Sequence, residues 1–336
     1  ATSTLEMERI FWPSEWGFLP STLNNFRGII MVVAPVDRGK TTLVRLLCSF
    51  FVSRGRKVGW VDSDLGQSNV GPPTTVGMVA GFRKFPLSLP ERLFTPCFRF
   101  VGDVTPEKRI EATALYTAEL VKEASAKSQV TLIDTCGLIF SLSGLRLKML
   151  KMKLIKPDLV LGIGKEEEFE LFQKFYGEQF WVVPPASQVS KKDYNKRRSY
   201  RERLFSLYFS SAESWELGWE NLHFFLPYHP YFFLQRHHRE EGTPVFEFSD
   251  SFSLILGSPE KKHDRECRVV TPSSLLSSIC GLYTEEGQEL GLGIIESFDE
   301  EQGTMVIKGK KVNSGKVGAV VPGLAKIDSK SLSVED

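Results

Sequence analysis

Three groups of residues in this chain have the types and spacing to handle a phosphate ester. The first is the run Ala34-Pro35-Val36-Asp37-Arg38-Gly39-Lys40-Thr41-Thr42, a tight loop ending in Gly-Lys-Thr-Thr. In such a loop a glycine lets backbone N–H groups curl around anionic oxygens, a lysine reaches the β- and γ-phosphates, and a hydroxyl ligates Mg²⁺. Gly39, Lys40 and Thr41 have the residue types for those roles, while the first position of G-x-x-x-x-G-K-[ST] is filled by Ala34, one methyl away from consensus.

The second group is Asp62-Ser63-Asp64-Leu65-Gly66-Gln67, and the third is a dense run of cations after Ser190. Transfer of a phosphoryl group to a hydroxyl needs positioning, Mg²⁺, charge neutralisation and a base for the hydroxyl proton. No histidine precedes His223, so the base must be a carboxylate. Asp62 and Asp64 share one face by the two-residue period of a strand, so one is free for the metal shell and the other for the acceptor. In the third group Lys191, Lys192, Lys196, Arg197, Arg198, Arg201 and Arg203 stand against only Asp193 and Glu202. A solvated helix interleaves both signs, so this imbalance points to an anionic ligand and to a lid that closes over phosphates. Arg197 and Arg201 lie one turn apart on one helical face, with Arg198 beside it.

These groups need a frame that holds them together. The apolar run 28–33 reads as a buried strand and 43–51 as a helix, the context a phosphate loop requires. A second strand, 57–61, delivers the Asp62 block at its carboxyl end, where open α/β sheets place ligand chemistry. The segment 71–77, with its paired prolines, is expected to be irregular. Strand 98–101, helix 112–126 and strand 130–133 follow, the last ending in Asp134-Thr135-Cys136-Gly137. A hydrophobic strand ending in aspartate has the form of a Walker B element, whose carboxylate reaches Mg²⁺ directly or through water. Strands 159–163 and 180–183 continue the alternation, which predicts an α/β fold: a phosphate-loop NTPase core with a mostly parallel sheet, helices on both faces and a basic helical lid. From about residue 214 short strands and turns predict a small β-rich domain. The expected division is an N-terminal arm (1–27) whose tryptophans cover an apolar face, a kinase-like domain (28–213) with its lid at about 187–209, and the β-rich domain (214–336).

Composition sets the outer bounds. The chain has 336 residues, 42% apolar content and a net charge of +1, which makes it globular and leaves any nucleic-acid contact to a local basic patch. No apolar run is long enough to cross a bilayer and no secretory leader pattern is read, so a soluble, cytoplasmic protein without membrane contact is expected. The five cysteines contain no C-x-x-C pair, which argues for reduced thiols rather than a disulfide framework or a zinc site.

Taken together, the blocks resemble the P-loop polynucleotide 5′-hydroxyl kinases of RNA processing. The loop 34–42 is similar to that family's Gly-Pro-x-Asp-x-Gly-Lys-[Ser/Thr]-Thr, and Asp62 to Gln67 resembles its D-x-D-x-G-Q block. Gly71-Pro72-Pro73 with Thr75-Val76-Gly77 resembles the short prokaryotic members. Gly102 to Pro106 resembles its Gly-x-x-[Ser/Thr]-Pro turn, Thr135-Cys136-Gly137 its Thr-Cys-Gly segment, and the run from Arg197 to Phe209 its arginine-bearing lid. Leu138 stands where some members carry a tryptophan, and Lys192 where the lid's leading arginine falls.

The resemblance implies an ATP-dependent kinase, tolerant of other NTPs, that uses Mg²⁺ to phosphorylate the 5′-hydroxyl end of RNA or DNA. Residues 35–42 (Pro35, Val36, Asp37, Arg38, Gly39, Lys40, Thr41 and Thr42) would hold the nucleotide, and Thr41 with Asp62 the metal. Asp64 would be the base, and Arg197 and Arg201 would close the lid. Gln67, Thr105, Thr135, Cys136, Gly137, Lys192 and Arg198 would face the substrate. Two rival readings keep the nucleotide but not the transfer. One is a GTPase-like switch, from Asp134 to Gly137 resembling D-x-x-G and 190–193 faintly echoing N-K-x-D; the other is an ATP-bound scaffold in a processing complex.

Overall fold

Residues 11–84, 97–187, 193–218, 223–224, 236–240, 243–249, 252–256, 267–270, 272–299, 302–312 and 316–334 are described by the computed structural model. Packing divides the chain into two units, Ala1–Val101 with Thr105–Arg197, and Gly102–Val104 with Arg198–Asp336. That division falls inside the basic helix.

In the first unit a one-turn helix α1 (Leu19–Thr22) precedes the Gly-Ile-Ile-Met-Val-Val run, which forms β1 (Gly28–Val33). Then come α2 (Lys40–Ser53), β2 (Val58–Ser63), β3 (Thr75–Phe82), β4 (Phe98–Phe100), α3 (Ile110–Lys127) and β5 (Val130–Thr135). They are followed by α4 (Leu142–Ile155), β6 (Leu159–Ile163), α5 (Glu166–Tyr176) and β7 (Phe180–Val183), and α6 (Tyr194–Tyr208) begins in this unit and continues into the second. The strands form one seven-stranded sheet in the order β4-β3-β2-β5-β1-β6-β7. From β2 to β7 every pairing is parallel, and β3 and β4 add an antiparallel edge.

The expectation that 71–77 is irregular holds only as far as Thr74. Thr75, Val76 and Gly77 already belong to β3, because the prolines precede the ladder and Thr74 turns the chain with φ of 71°. Gly77 is required there, since a Cβ would lie 1.7 Å from the Val70 carbonyl oxygen.

Alternate residues of each central strand feed two cores. Ile30, Val32, Trp60, Leu132 and Leu161 face α2, where they meet Leu43, Val44, Leu47 and Phe51. Met31, Val33, Val61, Ile133 and Val160 face the other way, onto residues of α3, α4 and α5 such as Leu120, Met152 and Phe169. The N-terminal tryptophans belong to the first core, as the apolar-cover reading expects. Trp16 is wholly buried with its indole N–H donating to the Pro184 carbonyl at 2.8 Å, and Trp12 packs edge-on against Phe50.

In the second unit β8 (Glu213–Gly218), β9 (His223–Phe224), β10 (Arg236–Glu240), β11 (Thr243–Ser249), β12 (Phe252–Leu256) and β13 (Cys267–Val270) are followed by the one-turn α7 (Pro272–Leu275). After it come β14 (Ser278–Tyr283), β15 (Glu289–Asp299), β16 (Thr304–Gly309) and β17 (Ala319–Lys326). They make a six-stranded sheet, β8-β16-β15-β14-β17-β9, and a four-stranded one, β10-β11-β12-β13. The first is antiparallel apart from β9, and Leu217, Leu282, Ile295, Met305 and Ile307 fill its core. Among the described residues Cys48, Cys97, Cys136 and Cys280 form no disulfide, and no helix is long and apolar enough to cross a membrane.

Candidate functional site

The sheet order brings the phosphate loop after β1 and the two carboxylate-bearing strand ends, those of β2 and β5, side by side at the carboxyl end of the sheet. β5 lies between β1 and β2, and the parallel register sets Asp134 level with both Val32 and Asp62. Neighbours in parallel register share a face, so Asp62 and Asp134 both point toward α2, while Ser63 points toward α4.

The phosphate loop leaves β1 at Ala34, which is fully buried and keeps a negative φ, so its extra methyl imposes no backbone strain. Asp37 and Gly39 both turn through the left-handed region, with φ of 56° and 88°, and Gly39 starts α2. That geometry aims the first amides of a fourteen-residue helix into the loop, an arrangement that favours anions. Lys40 is 8% exposed and its Nζ donates to the Pro35 carbonyl at 2.7 Å, inside the loop. Burial pulls its pKa below the usual lysine range, Lys148 pulls the same way, and the charges of Asp134 and Asp64 oppose the shift. Arg38 pairs with Glu168 of α5 at 3.4 Å, Val36 is exposed, and Thr42 faces outward.

The partner of Thr41 is Asp134. Its hydroxyl donates to Asp134 Oδ2 at 2.6 Å, while Asp134 Oδ1 is buried and has no hydrogen-bond partner among the described residues. Burial raises the Asp134 carboxyl to about 6, opposed by the Thr41 hydrogen bond and Lys40. Asp62, to which the sequence reading gives the metal with Thr41, is engaged elsewhere. Its Oδ1 accepts the Asp64 amide at 3.0 Å and its Oδ2 the Asn69 amide at 2.6 Å, so the carboxylate ties down the loop 64–69. It is fully buried, and burial together with the charges of Asp134 and Asp64 raises its pKa well above the carboxylate range.

Asp64 lies one residue past the end of β2 and is half-buried. The strand period therefore stops short of it, and a turn places its side chain instead. Its Oδ1 accepts the Gly66 and Gln67 amides at 3.2 and 3.1 Å, and among the described residues its Oδ2 takes no protein hydrogen bond. Gln67 is half-buried beside it.

Thr135 is fully buried with its hydroxyl on the Val32 carbonyl at 2.8 Å, a bond that staples β5 to β1. Cys136 is 5% exposed, and Gly137 presses on the phosphate loop so closely that a Cβ would meet Val36 Cγ1 at 2.3 Å. Thr105 is exposed. Arg197, on α6, donates to Asp37 Oδ2 at 2.5 Å, which links the basic helix to the loop. Arg198 pairs with Glu202 at 3.0 Å, and Arg201 follows Arg197 by one turn of α6. Lys192 and Lys191 lie outside the described residues, as do Ser190 and the rest of the N-K-x-D echo except Asp193. Asp193 caps α6 by accepting the Lys196 amide at 2.7 Å.

Sequence reasoning passed over two further groups beside the site, the buried lysines Lys148 and Lys151 of α4. Nothing in the pattern Lys-Met-Leu-Lys-Met-Lys marks which of its lysines turn inward. Among the described residues no cluster of three or more His, Cys, Asp or Glu is arranged to hold a metal by itself. Thr41 and Asp134 instead offer a pair of hard oxygen donors of the kind that binds Mg²⁺ jointly with phosphates.

The chain is 29% identical over 286 residues to a polyribonucleotide 5′-hydroxyl-kinase of Pyrococcus furiosus, covering 80% of this chain and 79% of that one. A protein of the same name from Pyrococcus horikoshii is 32% identical over 183 residues, which is 54% of this chain and about half, 50%, of the relative. In structure, a chain of a solved Clp1p–Pcf11p complex superposes with a TM-score of 0.63 at 14% identity, over 92% of this chain and 77% of that one. Residues 34–211, more than half of the chain and inclusive of the loop, both strand-end carboxylates and the basic helix, match one family model, and the chain belongs to that family, the mRNA cleavage and polyadenylation factor CLP1 P-loop.

Proposed function

We propose that this protein is a polynucleotide 5′-hydroxyl kinase that transfers the γ-phosphate of ATP to the 5′-hydroxyl end of RNA. The observation that carries this reading is the division of labour between carboxylates. Asp134 is held by Thr41 on the phosphate-loop side, whereas Asp64 keeps one oxygen open at the neighbouring strand end. A nucleotide switch needs the first arrangement and has no use for the second. The archaeal relatives that carry the name polyribonucleotide 5′-hydroxyl-kinase support the same choice.

In this reading the loop amides of 36–41 and Lys40 bind the β- and γ-phosphates, for which the Lys40 ammonium must leave the Pro35 carbonyl. Thr41 and Asp134 are the residues that would hold Mg²⁺, and the unpartnered Asp134 Oδ1 fits that task. The ion would neutralise charge on the phosphates. Asp64 takes the proton of the attacking hydroxyl, and Asp62 holds the turn that aims Asp64. Arg197 lies against Asp37 in this structure and moves onto phosphate oxygens when they arrive, which adds positive charge where the transfer builds negative charge.

Incubating the protein with γ-labelled ATP, Mg²⁺ and a 5′-hydroxyl oligoribonucleotide should move label to the 5′ end, and a deoxy oligonucleotide run beside it reports sugar preference. Hydrolysis without transfer to any acceptor would favour the switch. Bound ATP with neither reaction would favour the scaffold. Arg197→Ala should reduce kcat about tenfold to a hundredfold while nucleotide affinity changes little, since the charge acts on the migrating group. Steady-state kinetics with separate nucleotide-binding measurements check this, and a loss confined to affinity would make the helix a docking surface.

A further inference from the structure

Lys148 and Lys151 are fully buried, one turn apart on α4, each next in sequence to a buried apolar residue, Leu147 and Met152. Burying an ammonium costs several kcal/mol unless it is well paired, and apolar replacements of similar volume are often neutral or stabilising. A helix that only had to cover the sheet would not spend two lysines there. What they touch is specific. Lys148 Nζ donates to the Cys136 carbonyl at 2.8 Å and lies 3.4 Å from Cys136 Sγ. Lys151 Nζ donates to Ser63 Oγ at 2.7 Å, and that hydroxyl in turn donates to the Asp134 carbonyl at 2.9 Å.

Both contacts fall at the carboxyl ends of β5 and β2, on the face opposite α2. Ser63 is the residue between Asp62 and Asp64, and Cys136 is two past Asp134. Electrostatically the group is continuous: Lys151 feels Lys148, Cys136, Asp64 and Asp62, Lys40 feels Asp134, Asp64 and Lys148, and the carboxylates feel one another. Neither lysine is exposed to a ligand, so neither acts by touching one.

We propose, resting on the kinase reading above, that Lys148 and Lys151 are positioning residues for the transfer: two buried lysines behind the sheet that fix the backbone at the ends of β2 and β5, with Lys151 within electrostatic reach of Asp62 and Asp64. Through Ser63 they set where the Asp64 turn begins relative to Asp134. The burial that pulls Lys151 down to about 7 is the strain the fold carries for this arrangement. This follows the general pattern in which a site is less stable than an apolar substitute would be.

The test uses the full chain and compares wild type with Lys148→Met, Lys151→Met and Ser63→Ala for transfer to a 5′-hydroxyl oligoribonucleotide, together with nucleotide binding and thermal unfolding. Each lysine variant should keep or raise Tm, keep both KM values within about threefold, and lose about tenfold or more in kcat. Ser63→Ala keeps both lysines and should lose about three- to tenfold in kcat, with less than the product of the two losses when combined with Lys151→Met. A kcat within twofold of wild type in the lysine variants overturns the proposal. So does a loss of kcat that comes with lower Tm and weaker nucleotide binding, because that is the mark of a merely structural role. If a lysine variant does not fold, Ser63→Ala decides alone, and wild-type kcat in it overturns the proposal. A wild-type protein with no transfer activity would instead sink the kinase reading.

Discussion

Lys40→Ala should give a folded protein whose transfer rate is lower by at least about 10²–10³, the range for losing a single preorganised donor to developing phosphate charge. The fold does not depend on this side chain. Its ammonium is nearly buried, it donates a hydrogen bond to the Pro35 carbonyl of its own loop, and burial disfavours its charge. Removing it leaves that carbonyl without a donor, at about 1–3 kcal/mol, and removes the desolvation cost of a cation, so the two changes oppose. Unfolding temperature should therefore shift by no more than a few degrees. Thermal unfolding and label transfer measured on the same preparation separate the two effects. Near-normal transfer would take Lys40 out of the site, and an unfolded variant would show that the loop depends on it for structure.

Much of the frame is legible in the chain because buried parallel strands are written as short uninterrupted apolar runs. β1, β6 and β7 start and end where those runs do. β3 is the exception, since Pro72 and Pro73 mask a strand that begins two residues later and pairs antiparallel at the sheet edge. Sheet order is the larger gap. The sequence presents Asp62 and Asp134 alike, each closing an apolar strand, and nothing local states that β5 lies between β1 and β2. Once it does, Asp134 is the carboxylate beside Thr41, and Asp62 is left to bind the amides of Asp64 and Asn69.

The helix α4 was opaque for a different reason. Its lysines and apolar residues alternate too evenly for a 3.6-residue period to name the inward face, and only packing against β2 and β5 sends Lys148 and Lys151 inside. The basic helix, by contrast, was readable as a charge imbalance. What the sequence could not supply was the resting partner of Arg197, which is Asp37 of the phosphate loop itself.

Asp64→Asn should bind ATP with Mg²⁺ nearly as well as wild type, yet transfer to a 5′-hydroxyl should fall by about 10²–10⁴, the range for loss of a general base. The substitution is nearly isosteric, and an asparagine side-chain oxygen can still accept the Gly66 and Gln67 amides, so the turn survives. What disappears is the proton acceptor at the open oxygen. Asp134→Asn makes the contrasting case. Asparagine can keep the Thr41 hydrogen bond but offers a neutral, weaker ligand at the buried position of Oδ1, so its defect should lie in metal use and be partly restored by raising Mg²⁺ or substituting Mn²⁺. The two variants should also part in stability. A carboxyl raised to about 6 by burial binds its proton more readily folded than unfolded, so the stability it costs appears as pH rises from about 4 through 6 and stays lost above that. Asp134→Asn removes that cost, and the nucleotide-free variant should unfold at a higher temperature than wild type at pH 7 but not at pH 4. Kinetics across a Mg²⁺ and Mn²⁺ series decide the roles: metal rescue of Asp64→Asn but not of Asp134→Asn would exchange them. Rescue of Asp62→Asn alone would return the metal to Asp62, against the hydrogen bonds that hold its oxygens to the 64–69 loop.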